Sequence, residues 1–302
     1  MKVVIWLESP IRAFDLSSSQ LEALRSEYPQ HDFVVAESRD AFLALIPSAE
    51  AALVWRFAAE WYPRAPLLRL VATPSAGREL VDMDPQRRVR VSHGSFHGKI
   101  MAESLLAMML FHSRRLDLCL SQQQQRLWDR DAFGRTRRLA GQSALIVGYG
   151  PLGRQCARLL KAVGMSVTGV KRSPAGDPAP ADAVHPVSEL RRLLPQADHV
   201  VLTLPSDTGT DHLIDEAALR LLKPSASLYN LGRGNAVDEA ALVRALGAGQ
   251  LGHAFLDVFH VEPLPADSPL WDVPNLHVMP HASAISSEYL NLWLEELAPE
   301  LR

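Results

Sequence analysis

The chain has 302 residues, 47% of them apolar, and a formal charge of -3. That length exceeds what one hydrophobic core usually organises and supplies apolar material for two, so two α/β domains are expected. The balanced charge, with no lysine or arginine block to neutralise a run of phosphates, argues against a nucleic-acid partner. No apolar stretch reaches the ~18 residues of a bilayer span, which argues against a membrane one.

The first residues, Met1 to Trp6, enter a short apolar run directly and lack the features of a secretory leader. Runs 2–6 (KVVIW), 32–36 (DFVVA), 51–55 (AALVW) and 68–72 (LRLVA) read as β-strands, separated by helical stretches such as 19–27. The alternation predicts a parallel sheet with helices on its faces. After Val91 comes a helix-favouring stretch in which Met101, Leu105, Met108, Met109 and Leu110 share one broad apolar face, the pattern of a domain-linking helix. Cys119 and Cys156 fall in predicted helices without metal or redox spacing; both read as buried, reduced small hydrophobes, and a cytosolic setting is expected. Gln122 to Gln125 read as a solvated helix face.

A second series of strands is expected at 144–148, 166–170, 198–204, 226–230, 253–258 and 276–279, a doubly wound sheet of about six strands. The proline-rich segment from Pro174 to Pro186 reads as a surface loop. Domain boundaries fall near residues 95 and 284.

Gly148, Gly150 and Gly153 form a G-x-G-x-x-G between the first strand of this series and a helix opening at Pro151. In that setting the first glycine permits the tight turn, the second lets a pyrophosphate approach the backbone, and the third lets helix pack on strand. The helix N-terminus offers free N–H groups and partial positive charge to the diphosphate. An NAD-type site carries a carboxylate ~20 residues after the first glycine, on the ribose hydroxyls. This sequence has Lys171, Arg172 and Ser173 at that strand end, where two cations suit a 2′-phosphate, so NADP(H) is expected in preference to NAD(H). The plainer alternative is two solvated basic residues in a surface loop. Pro151, Leu152, Leu204 and Pro205 complete the expected cofactor contacts.

Residues 228–235 (LYNLGRGN), 255–265 (FLDVFHVEPLP) and 275–284 (NLHVMPHASA), following the glycine motif in that order, resemble the D-isomer-specific 2-hydroxyacid dehydrogenases, in the branch of glyoxylate and hydroxypyruvate reductases that prefers NADP. The likeness runs from about residue 70 to 290. It implies a Rossmann-type, doubly wound NAD(P)-binding domain at 96–283, inserted in a flavodoxin-like substrate domain built from 1–95 and 284–302. It also implies a homodimer formed through the linking helix near 98–120. By the same resemblance Arg233 holds the substrate carboxylate and carbonyl oxygen, His281 is the acid/base, Glu262 is its partner, and Asp257 accepts from the nicotinamide carboxamide. The chemistry asks for these types: hydride addition to a ketone leaves negative charge on oxygen, so a cation and a proton donor must lie within hydrogen-bond reach. Arginine forks two parallel bonds to an α-keto acid, and a carboxylate beside a histidine favours the imidazolium.

Ser75, Ala76 and Gly77 align with the loop whose backbone amides bind the substrate carboxylate, although Ser75 replaces a usual glycine; Arg78 recognises a second acid group or faces solvent. His93 and His97 stand four apart, but no acidic third ligand lies near, so no metal is expected and both read as supports of the substrate loop. Family members usually continue beyond the last helix with a segment packing back on the first domain, whereas this sequence ends at Arg302. Reduction of a small 2-keto acid to the D-2-hydroxy acid is the leading functional expectation. Oxidation of formate or phosphonate, or non-catalytic nucleotide sensing, are the alternatives; retention of Arg233, Glu262 and His281 speaks against the sensor.

Overall fold

The computed structural model describes residues 1–302, which divide into two compact units, Met1–His97 with Ile285–Arg302, and Gly98–Ala284. In the first unit five parallel strands, β1 (Lys2–Trp6), β2 (Asp32–Val35), β3 (Ala51–Val54), β4 (Leu70–Thr73) and β5 (Arg90–His93), lie in the order β2-β1-β3-β4-β5. This is the flavodoxin-like order. Strands β3 and β4 are apolar throughout except for Thr73 and buried at every position, as central strands covered on both faces must be. Helix α1 (Ser18–Glu27) starts at a capping box, in which the Ser17 hydroxyl accepts from Gln20 N–H and the Gln20 side chain accepts from Ser17 N–H. With α2 (Arg39–Leu45) it packs on the sheet, where Phe42, Ile46, Phe57, Trp61 and Tyr62 fill the core around Val4 and Val54.

Strand β5 departs from the sequence expectation, which held only four strands here. It is an edge strand, RVSH, exposed or half-buried along its length, so it carries no apolar run to betray it.

In the second unit seven strands run in the order β12-β11-β10-β9-β6-β7-β8, every neighbouring pair parallel. They are β6 (Ser143–Val147), β7 (Ser166–Lys171), β8 (Ala183–Pro186), β9 (His199–Leu202), β10 (Ser227–Asn230), β11 (His253–Leu256) and β12 (Leu276–Val278). The chain reverses direction across the sheet at β6, which pairs with β7 on one side and β9 on the other. Strand β8 corrects the expectation that Pro174 to Pro186 is all loop. Its pairing runs from Thr168 with Ala183 to Lys171 with Pro186, a proline tolerated because this strand is the sheet edge.

The unit is entered through α3 (His97–Ser113), which buries Met101, Leu105, Met108 and Met109 but leaves Leu110 exposed. Helix α4 (Leu116–Gln125) follows and corrects two further expectations: Cys119 is exposed rather than buried, whereas Gln122, in the glutamine run, is buried and donates to the Asp129 carbonyl at 3.1 Å. Cys156 is buried in α5 (Pro151–Ala162), and burial pushes its thiol up to about 12. The remaining helices of the unit are α6 (Leu190–Leu193), α7 (Glu216–Leu219) and α8 (Glu239–Gly247); α9 (Tyr289–Leu297) belongs to the first unit. No helix is long and apolar enough to cross a membrane.

Candidate active site

Because all strands of the second sheet are parallel, everything that follows a strand directly emerges on one edge. The glycine turn follows β6, Lys171 to Ser173 lie at the end of β7, Leu204 and Pro205 follow β9, Arg233 follows β10, Asp257 follows β11, and His281 follows β12. The edge outside the carboxyl ends of such a sheet, at the point where strand order reverses, is where doubly wound folds bind ligands.

The glycine turn is built for this. Gly148 has a φ of 101°, a left-handed conformation that other residues rarely adopt, and a Cβ there would lie 2.7 Å from the Thr203 carbonyl oxygen. Its N–H donates to Val170 and its carbonyl accepts from the Thr203 hydroxyl at 2.8 Å, so the turn is tied to the strands on both sides of β6. Gly153 packs α5 onto Ile146. Gly150 differs: it caps α5, and a Cβ built on it would come no nearer than 4.0 Å to the protein. The second glycine is therefore not demanded by the protein's own packing, which fits a diphosphate approaching the helix N-terminus at that point. Tyr149, between the glycines, lies against Gly169 and accepts from Ala181 N–H at 2.9 Å while donating to the Pro178 carbonyl at 2.8 Å. Arg154 stacks over its ring and donates to the carbonyls of Asp177 and Ala179, so the glycine helix holds the segment after β7.

Lys171 donates from Nζ to the Ala175 carbonyl at 3.0 Å. Arg172, its side chain 76% exposed, pairs with Asp207 at 2.6 Å. Both cations expected to meet a 2′-phosphate are thus at the end of β7, and one of them already has a carboxylate partner.

Arg233 sits in a turn whose two glycines have specific reasons. A Cβ at Gly232 would lie 2.6 Å from the Leu204 backbone, and one at Gly234 would overlap the Phe259 backbone. The Asn230 side chain, buried, accepts from Gly232 N–H at 3.1 Å and donates to the Arg233 carbonyl at 3.0 Å, closing the turn from within. Arg233 Nη1 donates to the Gly232 carbonyl at 2.9 Å.

His281 and Glu262 are joined by a direct side-chain bond, Nδ1 to Oε2 at 2.7 Å. The other Glu262 oxygen accepts from Phe259 N–H at 2.9 Å, which fixes the carboxylate plane. His281 has a φ of 51°, a left-handed conformation costing about 1–3 kcal/mol in a residue that is not glycine. Asp257 holds it there: its backbone carbonyl accepts from His281 N–H at 2.8 Å, and its carboxylate, 1% exposed, accepts from Ala282 N–H at 2.7 Å and from the N–H and hydroxyl of Ser283. The carboxamide contact expected of Asp257 would have to share oxygens that already restrain the histidine turn. Sequence reasoning missed Asn230 and Ser283, although both lie inside the runs that carry the family likeness. It missed Asp207, 35 residues from Arg172, for want of any local signal.

The expected substrate loop belongs to the first unit, after β4. Ser75 N–H donates to the Thr73 hydroxyl at 3.2 Å and the Ser75 hydroxyl to the Gly77 carbonyl at 3.3 Å; Ala76 is exposed. Arg78 and His93, with Val81, Asp82, Met83 and Val91, line a cavity of about 390 Å³. Burial, and then the Arg78 guanidinium, hold the His93 imidazole below its ordinary pKa.

The model of the D-isomer specific 2-hydroxyacid dehydrogenase NAD-binding domain matches residues 106–283. D-3-phosphoglycerate dehydrogenase of Mycobacterium bovis is 34% identical over 85% of this chain, but the chain spans only 49% of that protein's length. Glyoxylate/hydroxypyruvate reductase B of Pectobacterium carotovorum is 34% identical, with 88% of this chain and 86% of the relative covered. The crystal structure of a D-isomer specific 2-hydroxyacid dehydrogenase from Xanthobacter autotrophicus in complex with NADPH and MES superposes with a TM-score of 0.81 at 29% identity, covering 99% of this chain and 94% of that one. This chain belongs to the D-isomer-specific 2-hydroxyacid dehydrogenase family.

Proposed function

We propose that the protein reduces a small 2-keto acid of the glyoxylate or hydroxypyruvate type to the D-2-hydroxy acid, with NADPH as the preferred reductant. The observation that carries this reading is the 2.7 Å bond between His281 and Glu262 on the sheet edge that also carries the glycine turn and Arg233. Gly148, Gly150, Pro151, Leu152 and Gly153 would hold the diphosphate, and the bound nicotinamide supplies a hydride. Arg233 binds the carboxylate and carbonyl oxygen and offsets the negative charge that grows on that oxygen. His281 gives the oxygen its proton, and Glu262, bonded to Nδ1, orients the imidazole. Ser75, Ala76 and Gly77 are proposed to bind the substrate carboxylate through backbone amides. The two free cysteines are in keeping with a cytosolic setting.

The reading is tested by following NADPH consumption on a panel of 2-keto acids. Turnover of glyoxylate or hydroxypyruvate is expected. Arg233→Lys, which cannot reproduce the planar fork, loses at least about a hundredfold in kcat/KM, the order of removing one oxyanion donor, and still binds NADPH. Near-normal turnover by the lysine variant on every accepted substrate would show that the anchor lies elsewhere.

Lys171 and Arg172 support the preference for NADPH, and Arg172→Asp is expected to reverse it. The Arg172–Asp207 pair is exposed, so breaking it costs at most about 1 kcal/mol. Asp207→Asn therefore improves NADPH binding by no more than about fivefold and leaves NADH unchanged. Equal kcat/KM for the two cofactors in the unmodified protein would refute the preference.

Glu262→Gln replaces the carboxylate that holds His281 Nδ1 with an amide of similar volume, so kcat for reduction should fall by at least about tenfold while the Kd of NADPH stays within about twofold. A kcat near the parent's would refute the pairing.

A homodimer through α3 and α4 is proposed on the apolar surface they leave open: Leu110, Leu116 and Leu120 are exposed, and Trp128, just beyond α4, is 90% exposed. Light scattering at micromolar concentration should give twice the chain mass, and Leu120→Glu should give the monomer. A monomeric parent would end the idea.

A further inference from the structure

The segment Ile285–Arg302 is far in sequence from the loop at Thr73–Gly77, yet it belongs to the same unit and touches that loop's support. Two side chains on α9, seven residues apart and so on one face of the helix, make the contact. Tyr289 is 3% exposed, with its ring packed against Phe14, Phe96 and His97 at centroid distances of 4.3, 4.7 and 5.4 Å. Its hydroxyl lies 2.8 Å from His97 Nε2 and donates to the Pro74 carbonyl at 3.4 Å. Glu296 accepts from Ser95 N–H at 2.9 Å and Phe96 N–H at 2.9 Å, and from the Ser95 hydroxyl.

Between these two grips lies Gly94. Its N–H donates to the Thr73 carbonyl at 2.9 Å, and a Cβ on it would overlap the Pro74 carbonyl oxygen. The backbone at Gly94 is thus pressed directly beneath Pro74, so whatever fixes residues 95 and 96 also fixes the start of the loop. Burial raises the Tyr289 phenol, keeping it neutral; with His97 in its Nε2–H tautomer the phenol oxygen accepts from the ring and its single proton goes to Pro74.

We infer that α9, through Tyr289 and Glu296, positions the loop Thr73–Gly77 for substrate binding. The inference rests on the proposed role of that loop in holding the substrate carboxylate. Tyr289 and Glu296 are positioning residues: they act through Pro74 and Gly94, and no contact with substrate is assigned to them. The bond to Pro74 is long for O–H···O, so the effect of losing it is modest.

The test uses the full chain with hydroxypyruvate and glyoxylate. Tyr289→Phe and Glu296→Gln, which keep ring and side-chain volume, should each raise KM for the keto acid by about three- to tenfold, the range spanned by one hydrogen bond. They should leave kcat within about twofold and the Kd of NADPH unchanged. His97→Leu should reproduce the Tyr289→Phe effect, and His97→Gln, which retains an N–H donor, should restore much of the parent KM. A fall in Tm with no change in KM, or a loss spread equally over kcat and NADPH affinity, would overturn the inference. Ala76→Pro, which removes an amide N–H from the loop, separates the two layers of the argument. If it raises KM while the α9 variants do not, the loop reading stands and the role of α9 fails. If it leaves KM unchanged, the loop reading itself fails, and this inference with it.

Discussion

A parallel sheet allows only one edge at which strands end, and the candidate site depends on that constraint. Seven parallel strands in the second unit deliver the glycine turn, the two basic residues, Arg233, Asp257 and His281 to the same rim, although they are spread over more than 130 positions of the chain. No contact between these segments is needed to bring them there; the ladders between neighbouring strands suffice, and the hydrophobic residues of β6, β9, β10 and β11, buried on both faces, set the register. The chemistry is then written into short turns: Arg172 and Asp257 stand directly after their strands, and Arg233 and His281 follow theirs within a single turn.

Such turns would be loose without local restraint, and this one is tightened by groups that do no chemistry themselves. Asp257 shows how. It is the residue directly after β11, so its backbone position is fixed by the sheet, and its carboxylate and carbonyl together take hydrogen bonds from His281, Ala282 and Ser283. Those bonds offset the cost of a left-handed histidine. Several donors converge on this one buried carboxylate, and the low local dielectric that strengthens those bonds would make an unpaired Asp257 costly. Asn230 does the corresponding work at β10, using one amide side chain to satisfy both a donor and an acceptor of the Arg233 turn.

The features legible in the sequence are the ones whose partners are near in sequence. The G-x-G-x-x-G turn, the central strands and the three family-like runs are local patterns, and the strand ends at which the site residues fall could be read from them. Edge strands were not legible. β5 is half-exposed and so lacks an apolar run, and β8 hides in a proline-rich stretch that only an edge position tolerates. Partners across long separations were not legible either: nothing near Arg172 announces Asp207, and nothing near Pro74 announces Tyr289, 215 residues away. Cys119 failed for a related reason, since a helix was rightly expected there but which of its faces would be covered depends on the packing of the whole unit.

The end of β7 illustrates what such a missing partner changes. Lys171 and Arg172 alone suggest a strongly positive pocket for a phosphate, yet Asp207 brings the local sum of these three charges to a single positive one. A dianionic group arriving there meets two cations and one anion, and must compete with the carboxylate for Arg172. In the proposed reading the phosphate displaces the carboxylate, because the pair stands in water, where exposed ion pairs are worth little, and a phosphate offers more charge and more acceptor oxygens to the guanidinium. A ribose hydroxyl offers neither and leaves the Arg172–Asp207 pair intact. Cofactor choice at this strand end therefore turns on whether the incoming group can outbid a carboxylate that the protein itself supplies, a question the two basic residues by themselves do not pose.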